Sequence, residues 1–191
     1  MHGIRAKSIG TLVSMATVGI MLLMMIVVIP LYARSEQQKV YSELGRLADG
    51  LVDSINQVMR LSQDQGAWLQ SFVMSLGTQS RVVRIVVLDD KGVIIAASET
   101  ALIGKRENID EYRRIGYENY KVVKVAGTGQ EIVRVAEKYE SISGKQNLLG
   151  MAVVDVDPSL EVESIAHRTI AVSIVFSLFM VTMIGFLYLL L

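Results

Sequence analysis

The chain has 191 residues, 51% of them hydrophobic, with 19 basic residues, 19 acidic residues and no cysteine. The missing cysteines exclude disulfides and thiolate metal sites, and a formal net charge of zero gives nucleic acid or an anionic surface no electrostatic footprint. So apolar a chain is not an ordinary soluble domain, and the excess is concentrated at the two ends.

Residues 1–7 carry Arg5 and Lys7, and no charge then occurs from Ser8 to Ala33. A second uncharged run follows Arg168, from Thr169 to Leu191. About 20 helical residues cross the roughly 30 Å hydrocarbon layer, so 8–33 and 169–191 are expected to be transmembrane helices. A cleaved signal peptide is the rival for the first run, but its apolar part exceeds the roughly 7–15 residues usual there. Arg5 and Lys7 put the N-terminus in the cytoplasm, two spans return the C-terminus there, and residues 34–168 are left outside. That segment holds every charged residue except Arg5 and Lys7, so its net charge is −2. Its length suits one hydrophobic core rather than two.

Gly10 and Ser14, four apart in the first span, form a small-xxx-small pair, and Pro30 can kink the helix where it leaves the bilayer. From Ser35 to Ser62 the pattern stays helical. Val40, Leu44, Leu47, Leu51, Ile55 and Val58 recur at helical steps and make one apolar stripe. The stripe either covers a sheet or pairs in part with a second subunit, and both are left open. Gln63–Gly66 breaks the period; Ala67–Leu76 resumes it with Trp68, Leu69, Phe72 and Val73 apolar, and Gly77 ends it. Trp68 is expected in the core. The helical part is thus 35–76.

Val82–Ser98 reads VVRIVVLDDKGVIIAAS: two β-branched runs around a polar turn that Gly92 can close. The first run, apolar apart from Arg84, is expected to be covered on both faces. Glu99–Asn119 is irregular with a short helix over Ile109–Tyr117, where Tyr112, Arg113, Arg114 and Tyr117 crowd near Lys105 and Arg106. Loops on a rigid sheet carry binding residues, and an arginine beside tyrosine hydroxyls can hold a carboxylate; a solvated charged face is the competing reading. Strands are expected at Tyr120–Val125, Glu131–Ser141 and Leu148–Val156, with turns at Gly127–Gly129 and Ser143–Gln146. On the second of these, Val133, Val135 and Tyr139 face one way and Arg134, Ala136 and Lys138 the other. Asp157-Pro158 then supplies a helix cap and first-turn proline leading into the second span. The fold class is α+β: a long N-terminal helix on a five-stranded antiparallel sheet (82–157), between two transmembrane helices.

VVLDDKGVIIAAS (Val86–Ser98), Ile103-Gly104 and LLGMAVVDVDPS (Leu148–Ser159), in this order between two spans, resemble the PAS-like Cache sensor domains of bacterial transmembrane receptors. The resemblance covers about Ser35–Arg168. It implies a small-molecule pocket between the sheet and the loop after the second strand, lined by Ser98, Tyr112, Arg114, Tyr117, Tyr120 and Arg134. The two spans place such a receptor in the bacterial inner membrane, the apolar stripe of the long helix points to a homodimer, and the Arg and Tyr residues of the loop point to a carboxylate-bearing ligand. No cofactor is implied.

No G-x-S-x-G, H-E-x-x-H or phosphate-binding loop occurs, since Gly104-Lys105 is followed by Arg106, so catalysis within this segment is not expected. Asp155, Asp157, Glu161 and Glu163 read as a solvated acidic face rather than a cation site. The expected function is sensing and transmembrane signalling by helix displacement, most simply as the N-terminal part of a sensor histidine kinase whose output domain lies beyond Leu191. A chemoreceptor or diguanylate cyclase is the next owner. A two-span interaction subunit, whose outer domain binds a protein, is the alternative. Ser173 and Ser177 in the second span could face a neighbouring helix during signalling.

Overall fold

The structure is a computed structural model and describes residues 2–61, 65–116, 120–125, 127–143 and 146–190. Tyr117, residues 144–145 of the predicted Ser143–Gln146 turn, residues 62–64 and the side chains of Gly10 and Ser14 lie outside the described residues, and Gln65 and Gly66 of the predicted break are already helical. The chain forms two compact units, Lys39–Leu160 and Met1–Gln38 with Glu161–Leu191.

In the first unit, helix α1 (His2–Leu61) contributes its C-terminal part from Lys39 and is followed by α2 (Gln65–Gly77). Five strands follow: β1 (Val82–Asp89), β2 (Ile94–Ala97), β3 (Lys121–Lys124), β4 (Glu131–Ser143) and β5 (Gln146–Val156). A short helix, α3 (Ile109–Ile115), lies between β2 and β3. All pairings are antiparallel in the order β2-β1-β5-β4-β3. The class is as expected. β1 is interior, but the centre belongs to β5.

Alternation along the strands divides the core. Ile85 and Val87 of β1, Val133, Val135 and Tyr139 of β4, and Ala152, Val154 and Val156 of β5 join the α1 and α2 side chains in one cluster. Val86, Leu88, Ala136, Met151 and Val153 form a second cluster with Tyr112 and Ile115 of α3. β1 is therefore covered on both faces, which explains its nearly unbroken apolar run.

On α1 the buried stripe is Leu44, Ala48, Val52, Ile55 and Met59. It is rotated from the predicted one: Leu47 is exposed, and Leu51 and Val58 are half-buried at its edge. Small Ala48 lets the helix approach the sheet, and a reading weighted to large side chains passes over it. Trp68, expected inside, is 59% exposed and stacks on Phe72, because Leu69 and Val73 take the inward face of α2.

The second unit contains the N-terminal part of α1 and most of α4 (Ser159–Leu190). Both helices are long and apolar enough to cross a membrane, and their apolar windows are almost wholly unburied. The start of α4 is capped as predicted, with Asp157 Oδ1 accepting from the Ser159 amide at 2.8 Å.

Candidate functional site

Arg84, Asp155 and Arg134 are register neighbours on β1, β5 and β4, so their side chains form one row across the α3 face of the sheet. Asp155 is 2% exposed and accepts from Arg84 Nε at 3.2 Å and from Arg134 Nε and Nη2 at 2.7 and 2.9 Å. Burial works against both guanidinium charges, yet the Asp155 carboxylate outweighs it and holds both pKa values above the ordinary arginine value. Arg84 also donates to Glu107 at 2.8 Å and to the Tyr112 hydroxyl at 3.2 Å. Arg134 lies 5.3 Å from the Tyr112 ring centroid and 3.8 Å from Glu111. Tyr112 donates to Glu107; burial first, then that bond, pushes its pKa up to about 12.

Glycine geometry places Glu107. Gly92 closes the β1–β2 turn at φ 78°, Asp89 Oδ1 accepts from the Lys91 and Val93 amides, and the Glu107 amide donates to Gly92 O at 2.8 Å. A Cβ on Gly92 would stand 2.4 Å from Glu107 O, so the turn and the segment before α3 fit only around a glycine. Asn108 then caps α3, accepting from the Asp110 amide at 3.2 Å.

Farther along the same face, Leu88, Met151 and Lys138 are register neighbours. Here a cleft of about 270 Å³ opens, lined by Asp90, Ile109, Arg113, Lys138, Gly150 and Met151. Gly150 is buried in its floor, and a Cβ there would point to the other face of the sheet, within 2.4 Å of the Tyr139 ring and 2.1 Å of Leu88 O. Tyr139 crosses beneath it on the other face and donates to Leu88 O at 3.0 Å. Two cations and one carboxylate border an apolar patch of Ile109 and Met151; Arg113 is tied to Asp110 at 2.9 Å, and Lys138 is exposed. The lining suits a small anion with an apolar part.

Of the residues implied by the resemblance, Tyr112 and Arg134 come together, but their polar groups are engaged by internal carboxylates. Ser98 sits against Gly77, and its hydroxyl accepts from the Ile85 amide at 3.0 Å. Arg114 is exposed and donates to Asp110 O at 3.3 Å. Tyr120 packs on the opposite face of the sheet, over Gly45 of α1, beside a separate cavity of about 350 Å³ lined by Ser42, Gly45, Arg46, Asp49 and Tyr120. Arg84, Glu107 and Asp155 were not expected here. Asp155, read as part of a solvated acidic face, is instead interior, because strand alternation aims it at the arginine row. Among the described residues, no group of three His, Cys, Asp or Glu side chains is placed to hold a metal.

No family model and no curated protein matches the sequence. Solved structures do match in fold. The ligand-binding domain of Mlp24 with asparagine matches at TM-score 0.50 and 14% identity, covering 73% of this chain and 60% of that one. The sensory domain of the Campylobacter jejuni chemoreceptor Tlp3 matches at TM-score 0.50 and 11% identity, covering 82% of this chain and 66% of that one. The chain shares the fold of these two domains. The sensor domain of E. coli DcuS also matches, at TM-score 0.49 and 14% identity, covering 68% of this chain and 98% of that one. In the domain of this chain that shares the fold, the α3 face carries two features: a closed ionic row and an open cleft.

Proposed function

We propose that this chain is the sensing and transmembrane signalling part of a bacterial inner-membrane receptor, and that its Cache-like domain binds a small carboxylate-bearing molecule in the α3 cleft. The observation that carries this reading is the cleft itself, where Arg113 and Lys138 face Met151 and Ile109 on a sensor fold. Arg113 and Lys138 meet the carboxylate, and Ile109 and Met151 take the apolar part. Tyr112 and Arg134 hold α3 over the sheet, so they set the depth of the cleft rather than touch the ligand.

On this reading ligand entry shifts α3 against β4 and β5, and β5 leads through Asp157-Pro158 into α4. The signal leaves as a displacement of α4 relative to α1 in a homodimer, with both termini in the cytoplasm and a histidine kinase as the output. A chemoreceptor output would use the same displacement.

The test is a thermal-shift screen of the detergent-solubilised chain with a panel of short carboxylates and their neutral amides. A ligand at 100 times its Kd stabilises by about 2.7 kcal/mol, which a melting curve resolves. The double variant Arg113→Gln/Lys138→Gln is expected to lose at least tenfold in affinity for the carboxylates that bind. Binding unaffected by that variant, or no binder at all, would remove the proposal. A second reading, an interaction subunit, is favoured by α2: it has no charged residue and exposes Trp68 stacked on Phe72.

A further inference from the structure

On the opposite face of the sheet, α1 meets β4 across an apolar interface with a polar contact toward each end, Tyr41 to Glu131 and Asn56 to Glu137. Asn56 is 8% exposed, and its Nδ2 donates to Glu137 Oε2 at 3.1 Å. Its Oδ1 is buried and, among the described residues, has no donor. A carboxylate can only accept, so an ionised Glu137 can satisfy the amide nitrogen and never the amide oxygen. A protonated Glu137 can do both: its O–H donates to Asn56 Oδ1 while its carbonyl oxygen accepts from Nδ2, closing a planar two-bond acid–amide pair.

We propose that Asn56 and Glu137 form a proton-responsive clasp, in which protonation of Glu137 completes the pair and tightens α1 against β4. The surroundings favour the neutral acid. Burial raises the Glu137 pKa most, Asp53 and Asp49 on α1 add to it, and Arg60 on α1 opposes them. Its β5 register partner, Ala152, carries no charge. Glu137 itself reaches solvent, so it exchanges protons with the medium without any opening of the domain. Acidity outside the cell thereby becomes an input to α1, independent of the cleft on the other face.

The sign follows from linkage. The folded pKa is raised, so the stabilisation is full below the unfolded value of about 4.3 and is lost as pH rises through the folded value. The experiment is the melting temperature of the solubilised full chain between pH 4 and pH 8, for wild type, Glu137→Gln and Asp53→Asn. Gln presents the same donor and acceptor as the protonated acid, so Glu137→Gln is expected to raise the melting temperature at pH 7 by about 2–4 °C and to remove that part of the pH dependence. Asp53→Asn, at an exposed position, is expected to move the wild-type transition to lower pH and to reduce its amplitude, because the amplitude follows the gap between the folded and unfolded values. A Glu137→Gln profile parallel to wild type would overturn the proposal. So would an Asp53→Asn transition at the wild-type pH, a result that holds even if Glu137→Gln fails to fold.

Discussion

Replacing Asp155 with alanine tests what the ionic row contributes. The change removes acceptors lying 3.2 Å from Arg84 Nε and 2.7 and 2.9 Å from Arg134. Arg84 keeps Glu107 at 2.8 Å, but Arg134 is left with Glu111 at 3.8 Å and the face of Tyr112. Two guanidinium groups that shared one carboxylate then face each other. Removing one partner of a buried ion pair costs about 3–5 kcal/mol. Side-chain exposures of 21% for Arg84 and 11% for Arg134 admit some water, which puts the expected loss at the lower end, about 3 kcal/mol. For a chain of this size that lowers the melting temperature by about 6–12 °C. Asp155→Asn, which keeps one acceptor, is expected to lose about half as much. Urea unfolding of the solubilised chain, followed by far-ultraviolet circular dichroism, measures both. An Asp155→Ala loss below about 1 kcal/mol would refute the argument, because the row would then behave as a solvated surface cluster. If the triple change Arg84→Met/Asp155→Leu/Arg134→Met restores stability, the row's contribution is to position α3 rather than to add net stability.

Gly150→Ala is expected to cost about 2–3 kcal/mol, since the new methyl meets Leu88 O and the Tyr139 ring, and neither can move without disturbing the sheet; chemical denaturation measures it. Burial, and then a hydrogen bond to Glu131 for Tyr41 or Glu107 for Tyr112, pushes both tyrosines up to about 12. Their contribution to stability is full below the unfolded value of about 10 and lost as pH rises toward 12, so alkaline melting should accompany phenolate absorbance from these two rings; ionisation near pH 10 in the folded chain would contradict it.

The strands were legible because period-2 alternation and β-branched runs depend on local sequence alone. Val82–Asp89 announced a doubly covered strand by its composition. The site was less so. Tyr112 and Arg134 were found because aromatic and cationic residues stand out in a loop and on a polar strand face, but what they bind is a matter of register. Asp155 pairs with Arg84 and Arg134 only because β5 lies between β1 and β4, and no local pattern states that order. Lys138 and Arg113 were visible as charges, whereas the cleft they border depends on the register that sets Lys138 beside Met151, which no local pattern states. The rotation of the α1 stripe turned on Ala48, whose small size hides its burial.

The central position of β5 carries a consequence for synthesis. β1 is made about sixty residues before β5, and with only β2 beside it β1 presents an unpaired edge throughout that interval. Closing the sheet waits for Val156, and α4 begins three residues later at Ser159. Domain folding and arrival of the second apolar helix are therefore nearly simultaneous events on a growing chain. Long-range pairing of this kind folds slowly and leaves strand edges open to wrong partners, so a delay before β5 emerges should raise aggregation more than an equal delay after it.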